Sequence, residues 1–192
     1  AAIEGKVEML FSDSIASIEE EAGRAHVGFD HAASRDFDLV VGADGLHSRV
    51  RSLAFGPEDG FERFLGYNVA AFEVTGYRPR EKLAYVSHAS AGRQVSRFSK
   101  RDDRTLFMFC YREKKPAPIP ADDAGRRQAL RREFADMKWE VPAILDAMDE
   151  VENIYFDRVS QIVMPRWTKG RVALIGDAAA CVSLLAGEGC GL

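Results

Sequence analysis

Two short apolar runs constrain the chain more than any other feature. They are Phe37-Asp38-Leu39-Val40-Val41-Gly42 and Arg171-Val172-Ala173-Leu174-Ile175-Gly176, and each is followed closely by an aspartate, Asp44 or Asp177. A compact apolar run closed by turn residues reads as a buried strand. In open α/β sheets ligands bind beyond the carboxyl ends of such strands. A carboxylate there can accept hydrogen bonds from a ribose or polyol, and Gly45 lets backbone approach backbone. Ser48 is a candidate helix cap. Arg51 is expected to pair with Asp44 or with a phosphate. After Asp177 come three alanines, Ala178 to Ala180, against which a flat ligand can lie. The later Gly187-Glu188-Gly189-Cys190-Gly191 reads as a helix entrance, where free N–H groups suit an anionic group. Taken singly, each stretch also reads as an ordinary turn or a Gly-rich loop packed for steric reasons, since Asp-Gly is among the commonest turn dipeptides.

The residues around these runs predict a mixed chain. Val7–Phe11, Ser14–Glu19 and Ala25–Phe29 read as strands of a small antiparallel meander, and Asp36–Val41 as one further strand. Leu46–Ala54 reads as a short helix. Gly56-Pro57 and Asp59-Gly60 mark a boundary, beyond which Tyr67–Thr75, Lys82–Ser87, Gln94–Phe98 and Thr105–Tyr111 read as an antiparallel sheet. Pro116, Pro118 and Pro120 form a stiff connector. Asp122 can cap a helix to about Lys138 that buries Leu130, Phe134 and Met137. Pro142 can open a second helix that buries Ile144, Leu145 and Met148. Val151–Met164 reads as a long strand. The fold class is therefore α+β / α/β. Residues 1–56 and 169–192 are expected to belong to one domain, interrupted by a sheet with helices over residues 57–168.

With 192 residues, 46% of them hydrophobic, the chain can bury a substantial core. The net charge of −4 comes without a basic stripe, so nucleic acid is not an expected partner. Arg126, Arg127, Arg131 and Arg132 are interleaved with acids and read as a solvated helix face. No apolar run approaches the length of a membrane span. Three cysteines and four histidines, with no Cys-x-x-Cys pair, argue against a disulfide framework and a zinc site, so no metal is expected. A cytoplasmic setting fits this cysteine usage.

Together the two motifs resemble the second and third fingerprints of FAD-dependent aromatic monooxygenases of the para-hydroxybenzoate hydroxylase type. Asp44, Gly45, Ser48 and Arg51 match Asp-Gly-x-x-Ser-x-x-Arg. Gly170 to Ala179 match the Gly-Arg-Val strand and Gly-Asp-Ala-Ala. Ala186, Gly187 and Gly189 match the later Ala-Gly-x-Gly. The resemblance implies FAD reduced by NADPH or NADH, and insertion of one oxygen atom from O2 into an aromatic or related ring substrate. It implies FAD contacts from Asp44, Gly45, Ser48, Arg51, Gly176, Asp177, Ala178, Gly187, Gly189 and Cys190, with Asp177 on the flavin's sugar-alcohol chain and the last three at its ring.

The chain departs from the family pattern at Ala180, where His is common, and at Ser183, where Pro is common. No Gly-x-Gly-x-x-Gly segment precedes Val7, so the chain is expected to be a segment that alone binds FAD weakly or not at all. The middle sheet corresponds to the family's substrate floor. Tyr67, Arg97 and Gln161 are the weaker pocket candidates, and Phe107 and Phe109 read chiefly as core. No catalytic residue is identifiable. Two other readings remain open on the same scaffold: a different FAD-dependent chemistry, such as a halogenase or reductase, and a binding module that does not turn over.

Overall fold

The computed structural model describes residues 5–21, 23–77 and 83–183. The chain divides into two compact units, residues 1–63 with 160–192, and residues 64–159. The second unit begins and ends inside the strands Glu62–Thr75 and Tyr155–Ile162, whereas the sequence set its limits at residues 57 and 168.

The first unit opens with an antiparallel meander of β1 (Ile15–Glu21), β2 (Arg24–Phe29) and β3 (Arg35–Phe37), in that spatial order. β2 places Ala25 and Val27 in the core, both almost fully buried. Val7–Phe11, expected as a strand, is not one. Its side chains are exposed, Phe11 by 81%, and it pairs with no strand among the described residues. Apolar composition does not make a strand where no neighbour accepts its backbone hydrogen bonds. The run Asp36–Val41 is likewise not one strand. It breaks at Asp38 and Leu39, where the chain leaves the meander at β3 and enters a different sheet as β4 (Val40–Gly42). Helix α1 (Arg49–Phe55) follows.

The second unit is built on a five-stranded sheet and two helices. Its strands are β5 (Glu62–Thr75), β6 (Tyr85–Ser90), β7 (Arg93–Ser99), β8 (Arg104–Arg112) and β9 (Tyr155–Ile162). The helices α2 (Asp123–Phe134) and α3 (Val141–Ala147) lie between β8 and β9 in the chain, and the spatial order is β6-β7-β8-β5-β9. Every second residue of β8, Phe107, Phe109 and Tyr111, joins a core with Leu130, Phe134, Ile144 and Met148 of the helical layer. Phe109 meets Phe134 edge-on at 4.9 Å, a favoured geometry for aromatic pairs.

Helix α2 starts where expected, with the Asp122 side chain accepting a hydrogen bond from the Gly125 N–H at 2.8 Å. It stops at Phe134, short of Lys138, and the chain turns through a left-handed Trp139 with φ 64°. Its arginines are not simply a solvated face. Arg126, Arg127 and Arg131 donate to the carbonyls of Ile154, Val151 and Leu145, so three of them fasten the helix to the segments that follow it.

The chain then returns to the first unit as a hairpin of β10 (Thr168–Lys169) and β11 (Val172–Leu174). β11 pairs in parallel with β4, matching Val172 to Val40, Ala173 to Val41 and Leu174 to Gly42. One face of this pair is core, with Val40, Val172 and Leu174 packed near Val50 of α1. On the other, Leu39, Val41 and Ile175 are each about half exposed or more. Among the described residues no helix is long and apolar enough to cross a membrane.

Candidate functional site at the ends of two parallel strands

The parallel pairing sets the site. β4 and β11 end level with each other, and the Ile175 N–H donates to the Gly42 carbonyl at 2.9 Å just past the register. Asp44 and Asp177 therefore follow adjacent strand ends, although the sequence separates them by most of the chain. Both turns pass through left-handed glycines, Gly45 with φ 80° and Gly176 with φ 58°. A side chain is strained there. A Cβ built at either glycine meets nothing within 4 Å, so each turn borders open space.

Asp44 is exposed, yet both its oxygens are engaged. Oδ1 accepts from the Ser48 hydroxyl at 2.5 Å, and Oδ2 accepts from the Val50 N–H at 3.0 Å. Partial burial pushes the Asp44 carboxyl up, but these hydrogen bonds outweigh it and hold it below the ordinary carboxylate range. Ser48, fully buried, is the N-cap of α1, its Oγ accepting from the Arg51 N–H at 2.9 Å. One carboxylate and one hydroxyl thus satisfy N–H groups that the first turn of a helix leaves free.

Arg51 departs from expectation. It does not pair with Asp44 and is not open to a phosphate: its side chain is 0% exposed. Its guanidinium donates to the Ala178 carbonyl at 3.0 Å, to the Leu46 carbonyl at 2.6 Å and to Glu58 at 2.8 Å. The Ala178 contact joins the two motifs directly. Arg51 is thus a positioning residue that locks one turn against the other. Its partner Glu58 was not singled out from sequence, where the stretch around Asp59-Gly60 signalled only a turn.

Asp177 is half-buried at the start of a single 3₁₀ turn, Gly176–Ala178. Beside it the Cys181 thiol is pushed up by burial and by the Asp177 carboxylate, to which it hydrogen-bonds. Cys181 is a second neighbour that sequence reasoning did not raise. Ala178 and Ala179 are buried and Ala180 is exposed. Gly187, Gly189 and Cys190 lie outside the described residues.

The substrate candidates lie on three different strands. Arg97, expected as a pocket residue, is 2% exposed and ion-pairs with Glu140 at 3.1 Å. It also lies over the Trp139 ring at 5.9 Å. It alternates in phase with Val95 on β7, and so faces the helical layer. Phe107 and Phe109 are fully buried on that same side. Tyr67 is half-buried on β5 of the second unit. Gln161 is half-buried on β9, in the part that belongs to the first. Among the described residues no group of three or more His, Cys, Asp or Glu side chains is placed to hold a metal ion.

The family described as "FAD binding domain" matches residues 3–192. A flavin-dependent monooxygenase of Legionella longbeachae serogroup 1 (strain NSW150) is 32% identical over 183 residues, 95% of this chain and 47% of that protein. Among solved structures, the tetracycline destructase Tet(51) superposes with a TM-score of 0.78 at 33% identity, over 92% of this chain and 48% of that one. The Klebsiella pneumoniae HpxO structure, complexed with FAD and uric acid, gives 0.69 at 28% identity over 91% and 44%. The chain spans about half the length of the curated relatives it matches.

Proposed function

Because the chain belongs to the FAD-binding-domain family, we propose that it serves a flavin-dependent monooxygenase that uses NADPH or NADH to insert one oxygen atom of O2 into an aromatic or related ring substrate. The observation that carries this reading is the parallel β4–β11 pair, whose level ends bring two glycine turns and two carboxylates together, tied by Arg51 to Ala178. The residues fit the cofactor. Open space lies beside Gly45 and Gly176, and Ala180 adds no bulk to the adjoining chain.

FAD, when bound, supplies the hydride acceptance and oxygen activation that no protein side chain provides. The chain's own part is to bind and orient. Asp177 accepts hydrogen bonds from the sugar-alcohol hydroxyls. Asp44 and Ser48 fix the start of α1, and Asp44 keeps an exposed edge on which a ligand hydroxyl can also donate. Gly45, Gly176 and Ala178 keep backbone close to the ligand. Arg51 holds the two turns in register without touching it. In this reading Gly187, Gly189 and Cys190 border the flavin ring, and Tyr67 and Gln161 are the remaining substrate candidates. A soluble cytoplasmic enzyme with a small-molecule substrate fits the chain's chemistry.

The test uses the whole protein. Flavin retained on purification is measured by absorbance, and NAD(P)H oxidation is followed with ring substrates under ¹⁸O₂. The expected results are stoichiometric FAD, at least tenfold weaker flavin binding in Asp177→Ala, and one labelled atom in the product. Flavin binding indifferent to both Asp177→Ala and Asp44→Ala would remove the site. Substrate-stimulated NAD(P)H oxidation with no labelled product would remove the monooxygenase reading and favour another flavin chemistry.

A further inference from the structure

We propose that the cavity between β5, β8, α2 and the proline-rich connector of the second unit is a binding site for a small planar molecule carrying a lactam-type edge, a ring C=O beside a ring N–H. The cavity encloses about 330 Å³, at the small end of ligand pockets. It lies on the helical side of the sheet and is lined only by residues of the second unit. The inference is therefore independent of the flavin reading.

The floor carries the argument. Asn68 and Tyr111 stand opposite each other on β5 and β8, and are 5% and 3% exposed. The Asn68 amide N–H donates toward the Tyr111 oxygen, which lowers the phenol's pKa against the burial that raises it. With the amide N–H so directed, the phenol proton and the amide oxygen remain. The pair therefore presents one donor and one acceptor side by side. No other hydrogen-bond partner of either side chain is found among the described residues. Burial pushes the Tyr111 hydroxyl up, so it stays protonated through neutral pH. Burying such groups without partners is costly, and the open space beside them is where a partner can stand.

The complement of a fixed donor–acceptor pair is an acceptor–donor edge in one plane, which a lactam supplies. The walls agree with a flat ring. Pro118, Pro120 and Phe156 offer apolar faces, and the Gln128 amide adds a further polar contact. Glu113 and Arg132 in the lining carry opposite charges, so it favours no net anion, and its polar floor does not suit a fatty ligand.

The probe is 2-pyridone, with N-methyl-2-pyridone as the control that blocks the donor. Each is titrated into the protein and followed by amide NMR shifts. Saturable binding of 2-pyridone is expected, with shifts confined to β5, β8, α2 and residues 116–121. At least tenfold weaker binding is expected for the N-methyl compound and for Tyr111→Phe. Asn68→Leu, nearly isosteric but without polar groups, is expected to lose binding as well. Thermal melts of both variants within a few degrees of the parent establish that the fold is kept. The proposal is overturned by absence of saturable binding (a cavity holding only water), by equal binding of the two pyridones, by shifts mapping elsewhere, or by a folded Tyr111→Phe or Asn68→Leu that binds as the parent does.

Discussion

The two units hold themselves together by different means. In the second, long strands and two helices enclose a continuous apolar core in which Phe72, Phe107, Phe109 and Phe134 touch one another. In the first, β4 and β11 are three residues each, and the turns that matter are fixed by charged and hydroxyl groups: Asp44, Ser48, Arg51 and Glu58. Further ties of the same kind are the Glu20 carboxylate accepting from the Arg171 N–H at 2.5 Å, and the Arg171 side chain donating to the Asp38 carbonyl. Area buries a scaffold, but it sets position only loosely. Directional bonds fix the turns to within a hydrogen-bond length, which suits a region proposed to hold a ligand.

The difference predicts distinct failures. The largest effect belongs to Phe109→Ala, which removes a fully buried ring that contacts two others. It should cost about 3–5 kcal/mol, read as a lowered urea midpoint, and leave the turn geometry at Asp44 unaltered in a variant that still folds. Next comes Arg51→Met, which fills similar space but leaves the Ala178 and Leu46 carbonyls without their donor. Glu58 remains partly solvated, at 27% exposed, so the loss should be smaller, about 2 kcal/mol. Its distinguishing mark is weaker flavin binding out of proportion to the stability change. Arg51→Lys should not rescue it, since one ammonium cannot reach three separated acceptors as a guanidinium does. Equal flavin affinity in both variants would deny Arg51 its positioning role.

What could be read beforehand follows the same division. The second unit was legible because burial imposes period: Leu130 and Phe134 on α2, and the alternation of Phe107, Phe109 and Tyr111 on β8, show in the letters. The identity and order of the two aspartate motifs were legible for the opposite reason, as unusual residues at the ends of apolar runs. The partners of charged side chains were not. Arg51 could be placed in a motif but not paired with Glu58, because a turn's geometry decides which acceptor lies within reach. Arg97 looked like a pocket cation. Its pairing with Glu140 depends on the strand's phase and on how α3 begins, neither of which its own letters contain. Val7–Phe11 and Asp36–Val41 failed as strands because pairing belongs to neighbours, and local composition does not carry it.

Ser48→Ala is the next smaller cut. It deletes the α1 cap, for about 1 kcal/mol, and removes the hydroxyl that donates to Asp44. The Asp44 carboxyl should then move up toward its ordinary value, about 3.9. A depressed carboxyl contributes stability that is present above the unfolded value and lost as pH falls through the folded one. Ser48→Ala should therefore begin its acid unfolding at higher pH than the parent. The same change in the second unit, at a serine remote from any carboxylate, should leave the acid limb where it was.

The smallest effect concerns His26 on β2, whose Nδ1 lies 2.7 Å from Asp36 on β3. That hydrogen bond to Asp36, working against slight burial, raises the imidazole above its ordinary value, about 6.5. The sign is opposite to that of Asp44. The contribution is complete below the unfolded value and disappears as pH rises through the raised folded value. Both partners are solvent-exposed, so the stability effect should be near the limit of detection, and the titration itself is the measurement. NMR should show His26 titrating above 6.5, and Asp36→Asn should return it toward that value with little change in the melt. If Asp36→Asn instead lowered the melting temperature as far as Ser48→Ala does, the meander would depend on its polar pairs as strongly as the ligand-facing turns do. The proposed contrast would then lie between the units as wholes, and would not be specific to the residues around Asp44 and Asp177.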